Sequence, residues 1–91
     1  MSSPVSHKPA RHRFERDVDG HTAIAVYRLA DGVMTFTHTE VPAQLRERGI
    51  GSQLVRGALE QARAMGVKVV ARCPFVAQYI ARHPEFRDLL A

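Results

Sequence analysis

The chain has one cysteine, Cys73, and no tryptophan. A lone cysteine closes no internal disulfide and builds no cysteine-based zinc site, so neither staple is open to this domain, and no metal is expected. Cys73 can matter only as a thiol, and a reducing, cytoplasmic setting is expected. Aromatic residues make up 7% of the chain. That is few for the stacking platforms of nucleic-acid binders, and the arginines form no stripe. No apolar run nears the roughly 20 residues of a membrane span. The opening "MSSPVSHKPARHR" has no apolar centre behind its basic residues and does not read as a secretory signal.

What remains is ordinary for a globular domain. With 91 residues, 45% of them apolar and 24% charged, the chain can bury one modest core but not two. Its net charge of +4 and pI near 10 suit an anionic partner. Lys8 and Lys68 are the only lysines, so arginine carries most of the charge. Arginine is also the better bidentate ligand for phosphate.

Residues 1–10 show no apolar period and are expected to be a disordered tail, leaving 11–91 as a single domain. "RFERDVDG" reads as a short strand closed by the Asp19-Gly20 turn signal. In "HTAIAVYRLADG", Ala23, Ala25 and Tyr27 share one face and Ile24, Val26 and Arg28 the other, up to a second turn at Asp31-Gly32. "VMTFTHTEV" has strand composition and is stopped by Pro42. "SQLVRGALEQARAMG" then sets Leu54, Val55, Ala58, Leu59, Ala62 and Met65 at helical spacing, with Gly66 as its stop. "VKVVARC" reads as a strand parallel to the third, because a helix crosses between them. "PFVAQYIARH" begins a second helix at Pro74 that stops before Pro84, and "EFRDLLA" is expected to pack through Phe86, Leu89 and Leu90. The order β-β-β-α-β-α gives an α/β (α+β) fold, with helices layered on a mixed sheet of one antiparallel meander and one parallel strand.

Between the third strand and the first helix lies "LRERGIGSQLV", residues 45–55. A glycine turn entering a helix brings free backbone N–H groups together at the positive end of the helix dipole, a corner that favours an anion. Gly49 and Gly51 would let the chain take positive φ and let a pyrophosphate approach closely, while Arg46 and Arg48 add charge and Ser52 a hydroxyl or a cap. The same glycines could equally be a plain turn beside solvated arginines. Neither G-x-x-x-x-G-K-[ST] nor G-x-G-x-x-G is present, since Leu54 stands at the third glycine, so nucleoside triphosphatases and nicotinamide-dependent dehydrogenases are excluded.

Arg46-Glu47-Arg48-Gly49-Ile50-Gly51 matches the Arg/Gln-x-x-Gly-x-Gly/Ala signature of the GNAT superfamily of N-acetyltransferases. "HTEVP" at 38–42 and "CPFVAQYIARHPEF" at 73–86 resemble its small stand-alone subgroup, and the resemblance spans roughly Phe14 to Leu90. It implies a minimal GNAT-like fold and acetyl-coenzyme A as donor. The pyrophosphate would rest on Arg46, Glu47, Arg48, Gly49, Ile50, Gly51 and Ser52, and the pantetheine arm would pair with Thr39, Glu40 and Val41. Pro74, Phe75 and His83 are expected at the donor site as well. The implied reaction is direct attack of an unprotonated amine on the thioester, with a backbone N–H polarising its carbonyl.

Such an attack gains from a general base and the departing thiolate from an acid. His38 and Glu40 lie two residues apart on one strand and share a face before any bulge, so either could be the base, or both could be polar residues on a solvated face. Many family members carry an acid tyrosine on the last helix. Counted back from Phe86 that place is Ala81 here, and Glu85 replaces the glycine before the phenylalanine. Tyr79 could take the role only if the helix is shifted; otherwise it packs in the interior. Cys73 ends the last strand at a helix start, and could be an acyl-accepting nucleophile or a buried core residue. The chain also has no counterpart to the N-terminal helical arm of larger relatives. A coenzyme A-binding protein with little transferase activity is therefore the second reading, and a basic nucleic-acid module the third. The expected partners are acetyl-coenzyme A and an amine, small or protein-borne; neither the acceptor nor the oligomeric state can be read from the sequence.

Overall fold

A computed structural model describes residues 4–91. Five strands, β1 (Ser6–Lys8), β2 (Arg13–Val18), β3 (His21–Ala30), β4 (Val33–Glu40) and β5 (Lys68–Ala71), form one sheet in sequence order. Two helices, α1 (Ile50–Met65) and α2 (Pro74–Arg82), follow β4 and β5, and 3-10 turns occupy Pro9–Arg11, Ala43–Arg48 and Pro84–Leu89. The first four strands pair antiparallel and β5 joins β4 in parallel. This is the mixed sheet expected, with one more strand at its start.

That extra strand corrects the expected disordered tail, although residues 1–3 lie outside the described residues. Val5 is 3% exposed, its carbonyl accepts Gln61 Nε2 at 2.7 Å, and Ser6–Lys8 pairs with Arg13–Glu15 of β2. His7 stacks on Phe14 at 4.4 Å, and its Nε2 lies 2.5 Å from the Tyr27 hydroxyl. One valine and one histidine give no apolar period, so the strand rests on backbone pairing and a ring stack that periodicity cannot detect.

Directly opposed strand residues share a face. Phe14, Ala25, Tyr27, Phe36, Met34 and Val69 are buried on one face under the helices, with Leu54, Val55, Ala58, Leu59 and Ala62 of α1 against them. Truncating one of these large side chains, Leu54 or Leu59, would cost about 2–5 kcal/mol. Met65, placed on the core face by its spacing, is instead 42% exposed in the last turn of α1. Phe86 and Leu89 pack as expected, with Arg56 and Arg63 of α1 lying over the Phe86 ring, but Leu90 stays exposed. No described helix is long and apolar enough to cross a membrane.

Candidate active site

The sheet opens at one end. Pairing between β4 and β5 stops at Phe36 and Ala71, where the Phe36 carbonyl accepts both Arg72 N and Cys73 N at 3.0 Å. The chain then turns into α2, while β4 runs on to Glu40 without a neighbouring strand on that side among the described residues. On its other side β4 carries a bulge: Val26 opposes His38 and Tyr27 opposes Phe36, so Thr37 is an extra residue. The bulge inverts the alternation. Met34 and Phe36 face the helices before it, Thr39 faces them after it, and His38 and Glu40 turn to the opposite face. His38 and Glu40 do share a face, and His38 Nε2 lies 3.5 Å from Glu40 Oε2. Their side chains are 61% and 66% exposed.

Beyond Pro42 the 3-10 turn brings the chain to Gly49, which has φ +70 and precedes the first residue of α1. That left-handed conformation costs most side-chain-bearing residues about 1–2 kcal/mol, so glycine is favoured by the turn itself. The first helical bond here is Gln53 N to Gly49 O at 3.1 Å, and no side chain caps the N-terminus. The amides of Ile50, Gly51 and Ser52 therefore stand at the positive end of a 16-residue helix without an intrahelical acceptor. Ser52 is not a cap.

Gly51 has a different reason from the one expected. It lies within α1 with no positive φ; a Cβ there would sit 2.7 Å from Phe75 Cζ and 3.2 Å from Val41 Cγ2. The missing side chain makes room for a ring from the first turn of α2. Phe75 is 41% exposed and forms one wall of a cleft of about 610 Å³. Gly49, Gly51, Ser52 and Arg46 line its α1 end, and His38, Thr39, Glu40 and Val41 its β4 side. Behind the Phe75 ring lies a hollow of about 120 Å³ bordered by Ser52, Gln78, Tyr79, Arg82 and His83.

The two arginines of the loop part company. Arg46 donates through Nε to Val41 O at 3.0 Å and borders the cleft. Arg48 reaches instead to the β2–β3 turn and holds Asp19 Oδ2 at 2.6 Å. The hydrogen bond and charge of Arg48 keep the Asp19 carboxyl below the usual carboxylate range. Glu47 stands exposed in the 3-10 turn and Ile50 is buried in the core, and neither side chain borders the cleft.

Cys73 is not the end of the strand but the residue before α2, 6% exposed, with its Sγ 3.2 Å from Thr39 Oγ1. It lies outside the lining of the cleft, as does Pro74 at the first position of α2. Tyr79 is buried, stacked on His83 at 3.9 Å, and its phenol is pushed above the usual tyrosine value by that burial. It faces the small hollow rather than the cleft. His83 Nδ1 lies 2.8 Å from Tyr79 O, so that nitrogen carries the proton and donates. Sequence reasoning missed the Thr39–Cys73 contact and the Arg48–Asp19 pair. Both join positions far apart in the chain and leave no local pattern.

Several comparisons bear on this arrangement. Residues 13–89 match the family described as GCN5-related N-acetyl-transferase. Protein NATD1 of Mus musculus is 28% identical over 83 residues, which is 88% of this chain and 76% of that protein. The NMR solution structure of a GCN5-like protein from Staphylococcus aureus superposes with a TM-score of 0.73 at 24% identity, over 100% of this chain and 91% of that one. The likeness of fold accompanies a family match over most of the chain, and the chain belongs to the GCN5-related N-acetyltransferase family.

Proposed function

We propose that the chain transfers the acetyl group of acetyl-coenzyme A to a primary amine by direct attack on the thioester. The observation that carries this reading is the junction of two features: an uncapped helix N-terminus and an unpaired strand edge, both opening on one cleft. The residues present fit the donor. The amides of Ile50, Gly51 and Ser52 and the guanidinium of Arg46 suit a pyrophosphate. Past the point where β5 leaves, the β4 edge offers Thr39, Glu40 and Val41 to the amide-bearing pantetheine arm, with the Phe75 ring as an apolar wall. Glu47, Arg48 and Ile50 can contribute only their backbone. Acetyl-coenzyme A would supply the activated acetyl group.

His38 is the general base in this reading. An exposed neutral imidazole beside the β4 edge can take a proton from an arriving ammonium, directly or through water, and Glu40 at 3.5 Å stabilises the imidazolium that results. Cys73 is a packing residue here, because it is buried beneath Thr39 and outside the cleft lining.

Calorimetric titration with acetyl-coenzyme A tests the donor site. Saturable binding with one molecule per chain is expected, and no binding would overturn the reading. An assay of amine acetylation then tests the chemistry: His38→Ala should lower kcat by roughly 10²–10⁴ with little change in donor affinity. Donor binding without turnover on any amine would make the chain a coenzyme A-binding protein instead.

A further inference from the structure

We infer that the sheet face turned away from the helices is the acceptor's docking surface, and that the acceptor is a lysine on an extended, acidic stretch of protein rather than a free small amine. This rests on the transferase reading above and names its acceptor class.

The register defines the face. Ile24, Val26, Thr35 and Val70 fall on it through the pairs Ile24–Glu40, Val26–His38, Arg28–Thr35 and Thr35–Val70. All four are half-buried and none belongs to the core under the helices, so they form an apolar strip that no described helix covers. The strip leads straight to His38 and Glu40, the cross-strand partners of Val26 and Ile24. The Thr37 bulge is what puts them there.

Charge selects the partner. Arg13 on this face is held by Glu15 at 2.7 Å, and His38 stands against Glu40. Lys8, beside Arg13 on β1, and Arg28 on β3 are exposed and have no carboxylate partner among the described residues. The part of the face around Lys8 and Arg28 is thus positive, and the acids that face it without an arginine or lysine partner among the described residues are Glu40 at the cleft and Asp17, whose carboxylate accepts from the Thr22 hydroxyl, at the far end of β2. A chain with acidic residues around a single ammonium matches both signs.

Shape selects the size. Pockets for small ligands are concave and bury about 70–90% of the ligand. A pleated sheet face encloses nothing, so an acceptor that binds here must gain its affinity from spread-out contact, with apolar side chains at alternate positions against the strip. A free amine has only His38 and Glu40 to hold it.

The test uses the whole chain and a synthetic peptide with one central lysine flanked by alternating glutamate and leucine. Without donor, the peptide should shift the amide NMR signals of Ile24, Val26, Thr35 and Val70, and the Lys8→Glu, Arg28→Glu double variant should weaken its Kd about tenfold. With donor, the same variant should lose about tenfold in kcat/KM for the peptide and keep its rate on N-acetyl-lysine amide and its affinity for acetyl-coenzyme A. Absent shifts, shifts confined to the helix side, equal kcat/KM for peptide and free amine, or concentration-dependent self-association through this face would each overturn the proposal. Failure of acetyl-coenzyme A to bind the parent chain overturns the transferase reading separately, because the peptide shifts are read without donor.

Discussion

The Thr39 hydroxyl lies 3.2 Å from the Cys73 thiol, bridging the place where β4 and β5 part. The contact ties the free strand edge to the residue before α2 and leaves the sulfur under cover. Cys73→Ala should therefore keep most of the acetylation rate and lose about 1 kcal/mol of stability or less. If Cys73 instead carried the acetyl group, the same substitution would lower kcat by roughly 10⁴ or more. Steady-state kinetics on the variant separate the two outcomes.

The two glycines of the loop should respond differently to alanine. Gly49→Ala places a side chain at φ +70 with open space around it, so it should cost about 1–2 kcal/mol in denaturant unfolding. Gly51→Ala gains roughly 0.5–1 kcal/mol of helix propensity and meets the outer end of the half-exposed Phe75 ring and, at 3.2 Å, the Val41 Cγ2 methyl, both of them side-chain ends that can yield. Its stability should stay near the parent, while the displaced ring narrows the cleft and weakens acetyl-coenzyme A about tenfold. Phe75→Leu should restore affinity to Gly51→Ala, a coupling that a double-mutant cycle by calorimetry would reveal.

Arg46 and Arg48 look equivalent in the sequence and should not be so in binding. Arg46 borders the cleft, and Arg46→Ala should weaken acetyl-coenzyme A about tenfold, the loss of one charge-assisted contact. Arg48 is engaged with Asp19, so Arg48→Ala should leave that affinity within about twofold. The salt dependence of Kd should flatten for the first variant only.

His7 should make the β1 strap sensitive to acid. Burial lowers its pKa in the folded chain below the ordinary value of about 6.5, so the unfolded chain binds more protons in that range. The neutral ring's contribution is complete above the unfolded value and is lost as pH falls through it towards the lower folded value. Hydrogen exchange of the Ser6–Lys8 amides should quicken on acidification across that window. His7→Phe, which keeps the stack on Phe14, should remove most of the pH dependence; an unchanged profile would assign it to other groups.

The sequence made the middle of the fold readable because each element there carries its own signal. The two Asp-Gly turns, the alternation of Ala23, Ala25 and Tyr27, and the helical spacing from Leu54 to Ala62 are all local, and all correspond to observed elements. The strand of Ser6–Lys8 was hidden because it depends on pairing with Arg13–Glu15 and on the partners of His7. In the cleft, Gly49 was legible as a turn glycine. Gly51 was misjudged, because its reason lies in Phe75, a residue of another helix. Tyr79 illustrates the same limit: its helical position was legible, but only packing against His83 and Phe86 shows that it faces away from the cleft.

The extra residue at Thr37 acts as a phase shift in the strand. Were the bulge straightened with Thr37 kept in the ladder, every position beyond Phe36 would exchange sides: His38 and Glu40 would point under the helices, and Thr39 and Val41 would point outward. Which chemistry faces which visitor is thus stored in the count of residues along β4 rather than in any one side chain. An insertion between Thr37 and Pro42 should consequently do more harm than any single substitution there, because it shifts the whole edge at once, whereas removing Thr37 itself should leave His38 and Glu40 on the outward face.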